Sequence, residues 1–323
     1  MTDKTHIVIA TDANYLPHSA ALVESIAANH QGEVQLHVLA SNLSEADRQM
    51  LSSRSPKVSC TFYDVDSETI EKRLFGGKHI AGDRSLAAFS RLLIPELLPP
   101  DVDRCLYLDV DGIVTADLGE LMQTDLEGYA IAGVLDTNPL RRHLTVGLGP
   151  EDIYINSGMI LWNLDYCRRD KTVDRFARFI TERDGNVDAM DQGTLNGVLH
   201  AETKILPPAF NVMTSFFFLN ADEIKQIFNV PTYTDAEIKE AAERPVFIHL
   251  TPFTTTRPWV EKCRHPRKEE YARHRRKFDP EFQLQKDTRP AKLRVLSTLF
   301  FHCRPLYKLL MRLNERRRTP SQK

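Results

Sequence analysis

The chain has 323 residues, of which 42% are hydrophobic and 27% charged, and its formal net charge at pH 7 is -2. These values are typical of a soluble globular protein with one large domain or two ordinary ones. The five cysteines are widely spaced, with no Cys-x-x-Cys pair and no Cys/His zinc pattern, which argues against a disulfide framework and for reduced thiols. The sequence shows no signal-peptide pattern and no apolar run of the about 20 residues that a membrane-spanning helix needs.

The charge is distributed unevenly along the chain. Residues 262–323 contain 19 of the 42 lysines and arginines but six of the 44 acidic residues, so this segment carries +13 and the rest of the chain -15. A basic segment of this kind predicts a surface that meets a phosphate-bearing partner. Nucleic acid is not the expected partner, because the aromatic residues form no binding-module signature and the rest of the chain is acidic.

Strand and helix patterns alternate along the first part of the chain. Short apolar runs predict strands over residues 6–10, 34–40, 58–65, 104–110, 130–136, 154–164, 202–208 and 244–250. Helical spacing predicts helices over residues 17–30, 85–98, 171–183 and 190–200, and a further helix that begins after an N-cap at Ser44. The alternation predicts one α/β domain over residues 1–262, with a mainly parallel central sheet and crossover helices.

Residues 263–323 are predicted to form a basic, amphipathic helical segment. Over residues 291–318, Leu and Phe recur at near-helical spacing between Arg and Lys, and Pro305 is expected to kink or break the helix. The pattern is typical of a helix that lies in the interface of an anionic membrane. An ordinary helix that packs on the domain and keeps its basic face in water is the alternative.

The stretch YLDVDGIV places two aspartates, Asp109 and Asp111, at the end of a predicted strand. Side chains alternate along an extended chain, so the two carboxylates project together, and their repulsion requires compensation. A divalent cation, a shared proton, or the nucleophile of a haloacid dehalogenase-type phosphatase, whose DxDG[TV] signature the stretch resembles, would each explain the pair. A solvated turn after the strand is the fourth alternative.

The position of this pair argues against the phosphatase. The pair follows the fourth predicted strand instead of the first, and no later acidic pair follows a strand. In open α/β sheets, ligands bind outside the carboxyl ends of the strands. TDANY (11–15), Asp136 and His249 lie at the ends of three other predicted strands. We therefore expect these residues to converge with Asp109 and Asp111 on one cleft.

Six segments of the chain resemble glycosyltransferase family 8. They are ATDANY, FSRLLIPELL, RCLYLDVDGIV, INSGMILWNL, MDQGTLN and IHL…RPW, and together they cover about residues 6–260. Each segment is weak alone, but six in the order of the family are specific. The resemblance implies a retaining enzyme with a GT-A (Rossmann-like) nucleotide-sugar-binding fold. The family includes bacterial lipopolysaccharide galactosyl- and glucosyltransferases and glycogenin.

The resemblance also implies roles for individual residues. Asp109, Asp111 and His249 match the ligands of a manganese ion, with magnesium as a possible substitute, and mixed carboxylate and imidazole ligands suit such an ion. Tyr15 matches the ring that stacks on the base of the donor. The implied donor-binding residues are Thr11, Asp12, Asn14, Tyr15, Arg91, Asp109, Val110, Asp111, Asn156 and Arg257.

The catalytic candidates match the part of the family site that surrounds the transferred hexose. They are Gln192, Asp191 and Asp136. Gln192 matches the residue that the family places against the anomeric carbon, but an amide is not a strong nucleophile. Retaining glycosidases use two carboxylates about 5 Å apart. Here the sequence does not single out a nucleophile, and Asp191 and Asp136 both stay candidates.

The last segment departs from the family pattern. The family usually has H-x-x-G-x-x-K-P-W, in which the lysine holds the donor phosphates. Here HLTPFTTTRPW is two residues longer, has no glycine and offers Arg257 in place of the lysine. An arginine keeps the charge and adds a fork suited to phosphate. An exposed loop arginine without a role is the alternative.

These inferences together predict a hexosyltransferase that uses Mn²⁺ to move galactose or glucose from UDP-galactose or UDP-glucose to a saccharide or glycolipid acceptor, such as a lipopolysaccharide core. The expected location is the cytoplasm, peripheral on the inner face of the cell membrane, through the basic C-terminal segment. A glycogenin-like protein glucosyltransferase is an alternative with the same catalytic residues, but it leaves the basic segment unexplained. A catalytically inactive protein that binds sugar nucleotides is the other alternative, supported by the altered HLTPFTTTRPW loop.

Overall fold

The structure is a computed structural model that describes residues 4–79 and 86–318, with side chains described up to residue 314. The described strands are β1 (Thr5–Asp12), β2 (Val34–Ser41), β3 (Val58–Asp64), β4 (Arg104–Leu108), β5 (Gly112–Val114), β6 (Ile131–Gly133), β7 (Met159–Asn163), β8 (Thr203–Ile205), β9 (Val212–Met213) and β10 (Phe247–His249).

Fourteen α-helices connect and cover these strands within the described ranges. They are α1 (Leu16–Asn29), α2 (Glu45–Ser52), α3 (Ser67–Leu74), α4 (Ile94–Leu97), α5 (Gly119–Met122), α6 (Leu140–Thr145), α7 (Leu164–Arg169), α8 (Thr172–Thr181), α9 (Met190–Leu199), α10 (Ala221–Phe228), α11 (Asp235–Glu243), α12 (Lys268–Phe278), α13 (Ala291–His302) and α14 (Arg304–Arg318). Four 3-10 helices cover Leu86–Leu93, His200–Glu202, Pro208–Asn211 and Thr214–Phe217.

Seven strands form the central sheet in the order β3-β2-β1-β4-β7-β6-β8. Strands β1, β2, β3 and β4 run parallel, as do β6 and β8, whereas β7 is antiparallel to both of its neighbours. The predicted α/β fold with a mainly parallel sheet is confirmed. The sequence does not predict that β7 is antiparallel, because the apolar composition of a strand does not indicate in which direction the strand runs in the sheet.

A second, three-stranded sheet with the order β5-β10-β9 lies beside the carboxyl end of β4. Strand β5 follows Asp111 directly, and it pairs with β10 so that Gly112 lies opposite His249. A Cβ atom on Gly112 would lie 2.2 Å from the Phe247 ring, so this position requires the absence of a side chain. The small sheet therefore fixes His249 next to the aspartate pair.

The central sheet is buried on both faces, as its apolar strands predict. Along β1, Ile7 and Ile9 belong to one apolar cluster with helix α1, whereas Val8 belongs to a second cluster with α8 and α9. Each of these three side chains is fully buried. The core on both faces holds the carboxyl ends of the strands in fixed relative positions, which is what a site built across several strands requires.

The predicted helix over residues 85–98 is a 3-10 helix followed by the short helix α4. Its first residue, Ser85, lies outside the described residues. Pro95 lacks the backbone N–H that a continuous α-helix would use at this point, and it lies instead in the first turn of α4. This segment carries Arg91, one of the predicted site residues.

The C-terminal segment is helical, as predicted, and forms the helices α12, α13 and α14. Helix α13 ends at His302, and α14 begins at Arg304, so the break precedes Pro305, which is tolerated in the first turn of α14. No described helix is long and apolar enough to cross a membrane. The division at residue 262 stays a prediction.

Helices α13 and α14 pack on the α/β domain through a few side chains. Phe300 and Tyr307 are 1% and 5% exposed and belong to the main apolar cluster. Arg304 and Lys308 form ion pairs with Glu223 of α10, at 3.2 and 2.8 Å. Other positions of these helices expose leucines to solvent, so packing on the domain is observed and the membrane interaction stays a prediction.

Candidate active site

Two adjoining cavities lie at the carboxyl ends of the central strands. The first is about 270 Å³ in volume, and Thr11, Asp12, Tyr15 and Val110 contribute to its lining. The second is about 590 Å³, and its lining includes Asp136, Asn156, Asp191 and Gln192. Arg91 and Asp109 line both cavities, and Asp111 lines the first. Most of the residues that were expected to converge thus line two adjoining cavities, although Asn14 and His249 are not among the lining residues.

Three side chains of the types that bind metals meet where the cavities join. Ligand atoms of Asp109, Asp111 and His249 all lie within 4.8 Å of one another. His249 Nε2 is 3.0 Å from Asp111 Oδ1 and 3.6 Å from Asp109 Oδ2. Asp111 Oδ1 is buried and accepts no hydrogen bond from a described residue. An unsatisfied buried carboxylate oxygen that faces an imidazole nitrogen fits a site for a divalent cation.

The orientation of the His249 ring is set by Asn156. The backbone N–H of Gly158 donates to Asn156 Oδ1 at 3.0 Å, which identifies that atom as the amide oxygen. His249 Nδ1 lies 3.0 Å from the same oxygen, so this nitrogen carries the proton and donates. Nε2 is then directed at the two aspartates, and its lone pair is available to a cation when the ring is neutral. This is the usual arrangement of a metal-binding histidine whose second nitrogen is hydrogen-bonded.

In the free protein, the charges around His249 favour the protonated form of its ring. Burial lowers the pKa of His249, but the adjacent Asp111 and Asp109 carboxylates outweigh burial and raise the pKa above its usual value. The direction of this shift shows that the two carboxylates outweigh burial at the imidazole, although the nearby Arg257 opposes them.

Arg91 connects the aspartate pair to the second cavity. Its Nη2 is 2.9 Å from Asp109 Oδ1, its Nε is 3.1 Å from Asp191 Oδ2, and its Nη1 donates to the Ser157 carbonyl at 2.8 Å. The guanidinium also stacks on Tyr107, with its central carbon 4.5 Å from the ring centroid. Arg91 is 7% exposed, so it is a fixed internal charge and not a solvated helix-face arginine.

Hydrogen bonds hold the carboxylates of the second cavity in place. Gln192 Nε2 donates to Asp136 Oδ2 at 2.7 Å, and Gln192 Oε1 accepts from the Ser157 N–H at 3.0 Å. Burial raises the pKa of both Asp136 and Asp191, and the Gln192 hydrogen bond and the Arg91 charge, respectively, oppose these increases. Gln192, Asp136 and Asp191 are thus pre-oriented in a polar wall that can bind hydroxyl groups.

The residues of TDANY differ in their accessibility to the first cavity. Tyr15 is 43% exposed and lines the cavity, as does Asp12, whose Oδ1 accepts from the Tyr15 N–H at 2.9 Å. This contact is the Asx-type turn that such a sequence favours. Thr11 Oγ1 accepts from Ser19 at 2.7 Å. Asn14 is exposed and is not among the residues that line the first cavity.

Arg257 lies at the aspartate pair in the free protein. Its Nη1 contacts Asp111 Oδ2 and donates to the Leu250 carbonyl at 3.2 Å. Its guanidinium lies over the Trp259 ring at 5.2 Å. Burial lowers the pKa of Arg257, but the Asp111 charge more than compensates, and the net shift is upward. Arg257 is therefore not an exposed loop arginine.

The cavities include residues that the sequence interpretation did not single out. Ser157, within the INSG segment, bonds to Gln192 and Asp191. Phe228 and Phe253 form an aromatic wall of the second cavity, with ring centroids 6.4 Å apart. The signal for Phe253 was its position in the altered loop, whereas nothing in the sequence around Phe228 indicates a site.

The sequence profile of glycosyl transferase family 8 matches residues 6–263. The chain is 26% identical over 273 residues to General stress protein A of Bacillus subtilis (strain 168), with 82% of this chain and 91% of the relative covered. It is 22% identical over 267 residues to the lipopolysaccharide 1,2-glucosyltransferase of Escherichia coli (strain K12), with 81% and 74% covered.

Two solved structures share the fold. The galactosyltransferase LgtC, in complex with donor and acceptor sugar analogues, superposes with a TM-score of 0.67 at 23% identity, covering 90% of this chain and 99% of that chain. The bifunctional glycosyltransferase WbbM also superposes with a TM-score of 0.67, at 22% identity, covering 85% of this chain and 52% of that chain. This chain thus spans about half of WbbM. Because the family profile spans residues 6–263, the chain belongs to glycosyltransferase family 8, and the family and enzyme class that the sequence predicted are confirmed.

Proposed function

We propose that the protein is a retaining hexosyltransferase that uses a divalent cation, Mn²⁺ or Mg²⁺, and UDP-galactose or UDP-glucose as the donor. One observation carries this proposal: Asp109, Asp111 and His249 bring their ligand atoms within 4.8 Å at the junction of two cavities. A nucleotide sugar likewise has two parts, a nucleoside and a sugar, which are joined by a diphosphate. The diphosphate is the part that binds a metal ion.

The first cavity suits the nucleoside half of the donor. Tyr15 offers an exposed ring face on which a base can stack, a contact worth ~1–3 kcal/mol. Thr11, Asp12 and Val110 line the same space, as do Asp109 and Asp111. The diphosphate would then lie beside Asp109, Asp111 and His249. Asn14 is a weaker candidate, because it does not line the cavity.

The second cavity suits the hexose. Asp136, Asn156 and Gln192 are hydrogen-bonded to one another, and Asp191 is held by Ser157 and Arg91. A sugar epimer with a misplaced hydroxyl would leave one of these buried groups unpaired, which is a strong source of discrimination. Asp191 is engaged by Arg91 and Asp136 by Gln192, so both carboxylates are better suited to orienting the hexose than to attacking it.

The chemistry divides between the ion and the protein. A bound cation supplies positive charge that offsets the charge developing on the departing diphosphate. Arg91 holds Asp109 and Asp191 in fixed positions and contributes a further buried positive charge near the leaving group. Gln192 and Asp136 hold the hexose in one orientation, so that an acceptor hydroxyl reaches the anomeric carbon without further ordering.

The acceptor is a saccharide, which we propose to be part of a lipopolysaccharide core or another glycolipid. The aromatic wall of Phe228 and Phe253 in the second cavity supports a sugar acceptor, since aromatic faces pack well on sugar rings. The similarity to an E. coli lipopolysaccharide 1,2-glucosyltransferase supports the same class. The Phe253 ring also contacts Phe300 of α13 at 5.4 Å, so the cavity adjoins the C-terminal helices.

The C-terminal helices are proposed to bind the inner face of the cell membrane from the cytoplasm. Helices α13 and α14 expose Leu293, Val295, Leu306, Leu309, Leu310 and Leu313, each 39–57% exposed. Basic residues are interspersed with these side chains, and anionic lipid attracts each basic residue near its surface by ~1 kcal/mol. This arrangement would hold the second cavity close to a glycolipid acceptor.

The test is UDP release from a panel of UDP-sugars, by the purified full-length chain, with Mn²⁺, Mg²⁺ or EDTA. We expect release from UDP-galactose or UDP-glucose that requires the divalent cation. Asp109→Asn and Asp111→Asn should abolish this release and the metal-dependent affinity for UDP in calorimetry, because each removes an anionic ligand. The exposed residue Asp222, changed to Asn, is the charge-matched control.

Metal-dependent UDP affinity that is undiminished in both aspartate variants would contradict the assignment. UDP binding without release from any UDP-sugar, with or without saccharide acceptors, would instead indicate a binding protein without catalysis.

A further inference from the structure

In the free protein, each carboxylate of the aspartate pair already has a guanidinium partner. Arg91 lies 2.9 Å from Asp109, and Arg257 contacts Asp111. The negative charge that would attract a cation is therefore largely compensated from within the chain. A divalent ion that approaches this site alone meets two arginines as well as two aspartates.

The two arginines are anchored differently. Arg91 is 7% exposed, and it also binds Asp191 and the Ser157 carbonyl, so it cannot leave without exposing several unpaired groups. The Arg257 side chain is 24% exposed, and its hydrogen bonds go to Asp111 and to the Leu250 carbonyl. Of the two, Arg257 is the one that can move.

The loop that carries Arg257 is itself held in place. Thr254, Thr255 and Thr256 are 4–6% exposed, and Thr256 Oγ1 donates to the Glu261 carbonyl at 3.0 Å. Trp259 is 6% exposed, and its ring centroid lies 4.1 Å from that of His18. A movement of Arg257 would thus be a rotation of its long side chain about a fixed backbone, for which no reordering of the loop is required.

A cation bound by Asp109, Asp111 and His249 would share the Asp111 carboxylate with Arg257. Two positive groups on one buried carboxylate repel each other strongly, because the site is poorly screened by solvent. A diphosphate offers Arg257 a new partner, since the guanidinium fork matches phosphate oxygens in two parallel hydrogen bonds. Nucleotide binding therefore draws Arg257 away from Asp111 in the same step that brings the phosphates. The cation then no longer competes with Arg257 for this carboxylate.

We propose that Arg257 is the internal counter-cation of Asp111 in the free protein, and that it transfers to the diphosphate when the nucleotide and the divalent cation bind together. The inference rests on the proposed function, because it takes UDP and a divalent cation as the ligands. Arg257 then acts as a positioning residue that makes the two binding events depend on each other. By linkage, each ligand strengthens the binding of the other by the same factor.

The test is the affinity for Mn²⁺ of the full-length protein, measured without turnover from the electron paramagnetic resonance signal of the free ion, with and without UDP. For the unchanged protein we expect weak binding of Mn²⁺ alone and binding at least about tenfold tighter with UDP. Arg257→Gln should bind Mn²⁺ alone several-fold more tightly, and UDP should then enhance this affinity by less than about threefold. Arg257→Lys, which keeps the charge, should retain most of the enhancement.

Arg178→Gln is the matched control, because Arg178 is exposed on α8 and the same charge is removed there. It should behave like the unchanged protein. Equal thermal unfolding temperatures would show that the variants are folded.

The outcomes separate this inference from the proposed function. If the unchanged protein shows no UDP enhancement, or Arg257→Gln keeps all of it, Arg257 does not couple the two ligands. Weaker binding of Mn²⁺ alone in Arg257→Gln would mean that Arg257 merely orients Asp111, and it would also overturn the inference. If the unchanged protein binds no Mn²⁺ even with UDP, the proposed donor and metal are contradicted, and the inference about Arg257 with them.

Discussion

The position of His249 depends on a glycine that has no chemistry of its own. A Cβ atom on Gly158 would lie 2.0 Å from His249 Cε1 and 2.4 Å from Nδ1, so any side chain there displaces the imidazole. The Gly158 carbonyl also accepts from the Asp109 N–H at 2.8 Å. One residue therefore sets the separation between a histidine on β10 and an aspartate at the end of β4.

Gly158→Ala is expected to abolish Mn²⁺-dependent binding of UDP while the protein stays folded. The added methyl group cannot be accommodated without movement of the His249 ring or of the Asp109 backbone, and metal ligands tolerate displacements of only a few tenths of an ångström. Calorimetry of UDP with Mn²⁺ measures the effect. Gly149→Ala is the control, because its Cβ would lie 3.4 Å from the nearest neighbouring atom. Unimpaired binding in Gly158→Ala would show that His249 is not a ligand.

Tyr15 tests the assignment of the first cavity. Tyr15→Ala should weaken UDP binding by ~1–3 kcal/mol, because it removes the ring on which the base would stack. Tyr15→Phe should bind nearly as well as the unchanged protein, since it keeps the ring face. Titration calorimetry of the two variants distinguishes the contributions. If Phe is as damaging as Ala, the hydroxyl group carries the interaction and stacking is the wrong explanation.

At the scale of residues, short-range patterns were predictable and long-range contacts were not. The spacing of Asp109 and Asp111 predicts two carboxylates that project together, and this can be read from three consecutive letters, although both residues follow the end of β4 at Leu108. The contact of Arg257 with Asp111 joins positions 146 residues apart and depends on the conformation of an irregular loop. The same applies to Asn156, whose hydrogen bond to His249 spans 93 residues.

At the scale of elements, the long apolar strands and helices were predictable, and the short pieces around the site were not. Strands β5 and β9 have three and two residues, too few to show a period, whereas β10 lies within the predicted strand over residues 244–250. They form the small sheet because Gly112 allows β5 and β10 to approach closely. The direction of β7 was equally hidden, since it follows from the chain path and not from local composition.

The helices α13 and α14 have two faces with different tasks. Phe300 and Tyr307 belong to the core of the α/β domain, so removal of both helices would expose apolar surface and cannot test membrane binding cleanly. The leucines between the two helices line a largely apolar cavity of about 550 Å³ that is open to solvent. The outer face can be changed without disturbing the inner one.

The double variant Leu306→Gln with Leu309→Gln should bind anionic vesicles several-fold less than the unchanged protein. Both side chains are exposed, at 42% and 53%, and burial of a leucine in an apolar phase is worth ~1.5–3 kcal/mol. Flotation with vesicles that contain anionic lipid, at low and high salt, measures the binding. Leu284→Gln, an equally exposed leucine outside the two helices, is the control. Indifference of the unchanged protein to the vesicles at low salt would leave these helices a purely structural role.

At the scale of the whole molecule, buried histidines make the fold sensitive to acid. Burial lowers the pKa of five described histidines to about 4, namely His18, His37, His143, His265 and His274. In the unfolded chain each of these side chains titrates near 6.5. Below that pH the unfolded state binds protons that the folded state does not bind. The free energy of unfolding therefore decreases as the pH falls from 6.5 toward 4.

His143 is the sharpest single test of this acid sensitivity. Neither of its ring nitrogens has a hydrogen-bond partner among the described residues, and the ring stacks on Tyr154 at 4.5 Å. At pH 5 the lowered pKa of His143 costs up to about 2 kcal/mol of stability, because one pKa unit corresponds to about 1.4 kcal/mol. His143→Leu has no such cost. We therefore expect its thermal unfolding temperature to fall less than that of the unchanged protein between pH 7.5 and pH 5. His79→Leu, at an exposed position, should follow the unchanged protein, and parallel curves for all three proteins would show that protonation of His143 does not control stability.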